Sequence, residues 1–165
     1  MYSAKYQSPI GTLHLIFRNG KLINLSFTEE SASIWMKSVL REALPDEKPL
    51  PQELARELDA YFRGKRVPLK WDLELIGTDF QRRVWGALLE IPYGTTATYK
   101  DIGEKCRCRG YRAVGNAIGA NPIAIIVPCH RVVGASGLGG FSGGLNVKRF
   151  LLELEGALSP PMHHA

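Results

Sequence analysis

The sequence predicts an α+β protein: a small N-terminal domain with an antiparallel sheet and helices, then a mostly helical domain with a helix-turn-helix and a short strand carrying a candidate cysteine. Three observations lead there. Short β-rich runs separated by turn signals fill the first 27 residues, helical apolar spacing with threonine caps begins after Gly77, and a β-branched apolar run precedes Pro128-Cys129-His130-Arg131. At 165 residues and 45% hydrophobic composition, the chain has enough apolar side chains for a core. The expected division is 1–70, a linker at 71–76, a second domain at 77–158, and a tail at 159–165.

Ser8-Pro9-Ile10-Gly11 signals a turn, and Thr12 to Phe17 reads as a strand. Arg18-Asn19-Gly20-Lys21 signals the next turn, with Asn19-Gly20 the sharpest hairpin cue, and Leu22 to Phe27 returns. Ser31 to Ala43 has helical spacing through Ile34, Val39 and Leu40 and is stopped by the Pro45–Pro51 segment. A second helix from Pro51 to Phe62 aligns Leu54, Leu58 and Tyr61 and stops at Gly64. Beyond Pro68, Thr78 caps a helix whose face is Phe80, Val84, Trp85 and Leu88, and Ile91-Pro92-Tyr93-Gly94 ends it.

Thr98 caps a helix of Tyr99 to Lys105, and after Gly110 another runs from Tyr111 to Ala120, where Asn121-Pro122 stops it. Two short helices around a glycine-containing turn have the form of a helix-turn-helix. Ile123 to Val127 reads as a buried strand leading to Cys129. Gly134 to Gly144 is a glycine-rich loop, and a last helix, Asn146 to Glu155, is expected to turn Phe150, Leu151 and Leu154 inward.

Charge is distributed unevenly. Residues 1–75 hold eleven basic and ten acidic side chains, whereas 76–165 hold ten and six. From Lys105 to Phe150 there are seven basic residues, including Arg112, and no acid, a local field that attracts phosphate backbones, although a solvated basic face has the same composition. The N-terminus has no charged start followed by an apolar stretch, and no run of about eighteen apolar residues occurs, so the expected location is cytoplasmic and no membrane is an expected partner. Three cysteines, Cys106, Cys108 and Cys129, are an odd number for a disulfide framework.

Cys129 lies between an apolar run and a loop, with His130 and Arg131 following; adjacent cationic or proton-accepting groups lower a thiol pKa, and the thiolate is the nucleophile. A Cys-His pair alone is weak evidence for catalysis, because neighbours on a strand face opposite ways, and an inert buried cysteine is the plainer reading of it. A helix-turn-helix transcription factor accounts for the basic segment but not for Pro128-Cys129-His130-Arg131. A thiol hydrolase accounts for the cysteine but not for the DNA-facing features.

The segments Arg112-Ala113-Val114-Gly115, Asn121-Pro122, Ile125 to Val133, Ser142-Gly143-Gly144, Lys148 and Leu154-Glu155-Gly156 occur in that order. Together they resemble the O6-alkylguanine-DNA alkyltransferase family over Gly77 to Gly156, and Tyr61-Phe62-Arg63-Gly64 resembles its N-terminal domain. The resemblance implies single-turnover transfer of an alkyl group from guanine O6 in double-stranded DNA, with O4-alkylthymine a further candidate, to Cys129 after the nucleotide is flipped out. It also implies no cofactor and no metal, and a monomer acting in the minor groove, alone or clustered along DNA.

The same resemblance assigns roles. Cys129 would be the acceptor, His130 would take its proton through a water, and Glu155 would orient His130, although in isolation Glu155 reads as a solvent-facing helix end. Asn121 would brace the turn, Tyr99 would hydrogen-bond or protonate the departing base, and Arg112 would fill the vacated stack. Ala113, Gly115, Ala117, Gly119 and Ala120 would let the second helix approach the minor groove, though helix packing also favours small residues. Val132, Phe141 and Ser142 would line the substrate pocket. Phe141 stands where many members have tyrosine, so it can stack but offers no hydroxyl. Residues 1–76 hold no cysteine and only His14, so the N-terminal zinc site of some members has no ligand set here.

Overall fold

The computed structural model describes residues 1–159. The tail expected at 159–165, including Met162-His163-His164, lies almost wholly outside the described residues.

The N-terminal part is a three-stranded antiparallel meander, β1 (Tyr2–Ser8), β2 (Gly11–Arg18) and β3 (Lys21–Ser26), where the sequence led to two strands. β1 escaped notice because Ala4 is its one fully buried residue; the rest of the strand is polar or half-exposed, so it carries little hydrophobic signal. Alternation in β2, with a register irregularity against β3 beside Ile16 and Phe17, divides the sheet into two faces. Leu13, Leu15, Phe17, Leu22 and Leu25 join the main core, while Ile16 and Ile23 meet Ala32 and Met36 of α1 (Glu29–Trp35) and its π-helical continuation, Met36–Leu40. Arg41 ends that helix in the left-handed region at φ 58°, short of the expected Ala43.

α2 (Gln52–Phe62) buries Leu54, Leu58 and Tyr61, as its i, i+4, i+7 spacing predicts. α3 (Asp79–Leu89) starts at a capping box in which Thr78 Oγ1 accepts from Gln81 N (3.1 Å) and Gln81 Oε1 from Thr78 N (3.0 Å). α4 (Tyr99–Lys105) has the equivalent box between Thr98 and Asp101. α5 (Tyr111–Gly119) follows a tight turn and is held to α3 by the Trp85 indole, which donates to the Ala117 carbonyl at 2.8 Å.

β4 (Ala97–Thr98) pairs in parallel with β5 (Val132–Val133), which sets the start of α4 beside the segment following the cysteine. α6 (Leu145–Leu154) closes the fold. Its inward face is Lys148, Leu151, Leu152 and then Glu155, whereas Phe150 and Leu154, expected inside, are half-buried.

The free edge of β3 joins the two halves. Leu22 exchanges hydrogen bonds with the Asp72–Glu74 backbone, and Leu25 with Pro122 and Ala124, the segment just ahead of the cysteine. Backbone groups that would otherwise be an exposed sheet edge therefore position the candidate site. One apolar cluster runs from Ala4 through Tyr61 and Trp85 to Cys129 and Leu151.

Candidate active site

The run before the cysteine departs from the sequence reading: Ile123–Val127 is a compact coil rather than a strand, and Cys129–Arg131 forms one 3₁₀ turn that passes directly into β5. Ile126 N donates to Ala124 O (2.8 Å) across Ile125, a β-branched residue held at φ 71°, in a tight γ-turn that L side chains rarely tolerate. Asn121 makes this conformation possible. Its Nδ2 donates to the Val127 carbonyl (2.8 Å) and its Oδ1 accepts from Ile123 N (3.0 Å), supplying from a side chain the partners a strand would draw from a neighbour. A buried apolar coil and a buried strand have the same composition, and periodicity cannot separate them.

Cys129 is 7% exposed and His130 is fully buried. Burial raises the Cys129 thiol above its ordinary range, against the opposing pull of Asn121 and the Lys148 charge. Burial likewise lowers His130, and this outweighs the hydrogen bond and charge of Glu155 that favour the imidazolium. The unperturbed state is thus a neutral thiol beside a neutral imidazole. His130 Nε2 lies 2.8 Å from Glu155 Oε2, while Nδ1 has no hydrogen-bond partner among the described residues. A neutral ring that donates from Nε2 to the carboxylate leaves the Nδ1 lone pair free to accept a proton.

Glu155 is buried, not solvent-facing. Its Oε2 also accepts from Tyr61 OH (2.5 Å) and Arg131 Nη2 (3.1 Å), and its Oε1 from Arg131 Nε (2.7 Å). Burial alone would raise this carboxyl, but the hydrogen bonds of His130 and Arg131, the charge that His130 carries once protonated at low pH, and the Tyr61 hydroxyl together bring it down to about 2. Arg131 is held in turn by the Ile91 carbonyl (2.7 Å) and lies over the Tyr93 ring.

Lys148, fully buried, donates from Nζ to Val132 O (2.5 Å) and Gly140 O (3.0 Å), pinning the glycine loop to β5. Tyr99 OH accepts from Gly140 N at 3.3 Å, and a Cβ on Gly139, where φ is +74°, would fall 2.9 Å from that hydroxyl. Phe141 meets Phe27 of the N-terminal part edge-to-face at 5.6 Å, and a Cβ on Gly143 would stand 2.8 Å from both rings. Val132 is buried beside the cysteine turn, whereas Ser142 is exposed on the loop.

Arg112 and Ala113 are exposed at the start of α5, and Gly119 and Ala120 at its end. Ala117, expected on the same face, is turned inward: it is 3% exposed and its carbonyl is taken by Trp85. Asn116, which sequence reasoning passed over, is exposed there instead. Cβ atoms added at Gly115 or Gly119 would meet nothing within 4 Å among the described residues, so packing among these does not require glycine at either position. Also missed were Tyr61 as a partner of the site, Arg131, Lys148 and Phe27. Only Lys148 and Glu155 had a signal of their own, since both fall on the apolar face of α6 with Leu151 and Leu152.

Two family models match in succession: the ribonuclease-like domain of 6-O-methylguanine DNA methyltransferase over residues 1–75, and the DNA binding domain of the same proteins over 79–157. The methylated-DNA–protein-cysteine methyltransferase of Methanosarcina barkeri is 45% identical over 161 residues, covering 94% of this chain and 97% of its own. That of Mycobacterium bovis is 47% identical over 159 residues, covering 93% and 91%. A crystal structure of Mycobacterium tuberculosis OGT in complex with DNA superimposes with a TM-score of 0.80 at 44% identity, covering 95% of this chain and 94% of that one.

His130 and Glu155, both buried, predict acid sensitivity. Because His130 is lowered, the unfolded chain takes up a proton first as pH falls below 6.5, and stability declines from there. Because Glu155 is lowered from 4.5 to about 2, its contribution is complete above pH 4.5 and is lost as pH falls toward 2, on the order of 3 kcal/mol in all. Urea unfolding should therefore show a midpoint that drops as pH falls below 6.5 and drops further between pH 4.5 and 2. A midpoint constant from pH 7.5 to 4.5 would mean that His130 is not held as described, and no further drop below pH 4.5 would mean the same of Glu155.

Proposed function

The chain belongs to the 6-O-methylguanine DNA methyltransferase family, and from that premise we propose that it reverses alkylation damage by moving an alkyl group from guanine O6 in DNA to its own Cys129. The observation that carries this reading is the hydrogen-bonded His130–Glu155 pair set immediately after a buried cysteine. That is the nucleophile, base and orienter arrangement, with the orienter supplied by a distant segment of the chain.

The step balances without a cofactor. The Cys129 proton passes through a water to His130 Nδ1, and the sulfur attacks the alkyl carbon in line. The carbon–O6 bond breaks with its electron pair going to the guanine, which regains a proton or hydrogen bond from the Tyr99 side. Glu155 keeps His130 in the tautomer that can accept and stabilises the imidazolium once formed. The product is a thioether, which is not readily reversed, so each molecule acts once.

An O6 inside a duplex cannot be reached by a protein sulfur, so the nucleotide must leave the stack, at a cost of a few kcal/mol that is least for a poorly paired base. Arg112, exposed at the start of α5, fills the vacated space. Ala113, Gly115, Asn116, Gly119 and Ala120 form the face that approaches the minor groove. The empty surroundings of Gly115 and Gly119 support this, because their smallness then serves something outside the protein. Asn121 braces the turn, and Val132, Phe141 and Ser142 border the base, with Phe141 stacking.

Incubation with a duplex carrying one O6-methylguanine should add one methyl to the intact mass, saturating at one per molecule and located on the Cys129 peptide. Cys129→Ala should take up none. Methylation of Cys106 or Cys108 would overturn the acceptor assignment, and binding to the lesion without transfer would leave damage recognition alone. Gly119→Leu should weaken duplex binding at least tenfold while leaving urea stability equal or up to about 1 kcal/mol higher, since helix propensity improves and a Cβ at this exposed position meets nothing within 4 Å among the described residues. Unchanged binding would remove α5 from the DNA interface.

A further inference from the structure

We propose that Tyr61, a residue of the N-terminal domain, is a positioning residue for alkyl transfer: its hydroxyl fixes the Glu155 carboxylate that in turn orients His130. The proposal rests on the reading of His130 as the base. Tyr61 is 1% exposed, and its OH donates to Glu155 Oε2 at 2.5 Å, the same oxygen that faces His130 Nε2 at 2.8 Å. A hydroxyl that shares the oxygen facing the imidazole competes with it for electron density. It therefore limits how strongly the carboxylate pulls on the His130 proton, and it keeps that oxygen in line with the ring.

The ring of Tyr61 is held independently of its hydroxyl, edge-on to Phe62 at 5.2 Å and to Tyr93 at 6.3 Å. Removing the oxygen alone should leave the packing in place. The other groups facing the pair are Arg131 on the cysteine turn, Tyr93 after α3, and Lys148 on α6. Arg131 and Lys148 oppose protonation of His130. With Tyr61 absent, Glu155 retains Arg131 but binds a proton more readily and draws His130 toward the imidazolium. The base then remains protonated to a higher pH, and the transfer rate must fall on the acid side.

The test is single-turnover methyl transfer at saturating lesion duplex from pH 5.5 to 8.5, for the wild-type chain, Tyr61→Phe, and Leu58→Val as a core variant on the same helix. The expected result for Tyr61→Phe is an acid limb moved upward by about half a pH unit or more, and a rate at pH 6 reduced about three- to tenfold. Duplex affinity should not change. Leu58→Val should lose stability with its pH profile unmoved. A Tyr61→Phe profile that keeps the wild-type limb, with any rate loss uniform across pH, would overturn the proposal and leave Tyr61 as packing. Absence of transfer from the wild-type chain itself would instead remove the reading on which it rests.

Discussion

A carboxylate taken out of water must have its lone pairs filled, and the architecture around Glu155 follows from that requirement. Its side chain has no solvent exposure, and its two oxygens receive Tyr61 from α2, His130 and Arg131 from the cysteine turn. Leaving a buried charge without its partners costs roughly 3–5 kcal/mol, so the end of α6, α2 and the Cys129–Arg131 turn cannot be displaced separately. A domain boundary in sequence is therefore not a boundary in the site. The N-terminal half contributes Tyr61 to the carboxylate, Phe27 to the loop aromatic, and the β3 edge to the segment before the cysteine.

The same logic of satisfying buried polar groups shapes the cysteine segment. Asn121 supplies partners for Ile123 N and the Val127 carbonyl, beyond the bonds that the β3 edge makes with Pro122 and Ala124, and Lys148 gathers two carbonyls, one from β5 and one from the glycine loop. These clamps hold a strained turn and a mobile type of sequence in one arrangement, the condition for a site organised before substrate arrives. Keeping thiol and imidazole neutral until then fits a protein that can react only once, because an unprovoked thiolate would be spent on other electrophiles.

Much of this was legible in the residues. The threonine caps at Thr78 and Thr98, the Asn19-Gly20 hairpin and the Leu54–Leu58–Tyr61 face all rest on local chemistry, and they form as local chemistry predicts. The strand expected at Ile123–Val127 failed because composition reports burial and not hydrogen-bond partners. β1 was invisible because its outward residues are polar. Ala117, expected outside, is buried: smallness has two causes, close packing inside and close approach outside, and composition does not separate them. Tyr61 is legible as a helix-face residue and as part of a motif but not as a partner of the site, since Glu155 is 94 residues away. Had charged residues on an apolar helix face been weighed, Lys148 and Glu155 would have declared themselves.

The most direct test of the account is Glu155→Gln, read on one preparation for both urea stability and single-turnover methyl transfer to Cys129. The amide keeps the shape of the carboxylate but removes its charge and offers donors to Tyr61 and Arg131. The account predicts that both quantities fall together, stability by a few kcal/mol and the transfer rate by at least tenfold, with lesion-duplex affinity preserved. A variant that loses stability yet transfers at the wild-type rate would contradict it, because Glu155 would then hold the fold together without governing the histidine.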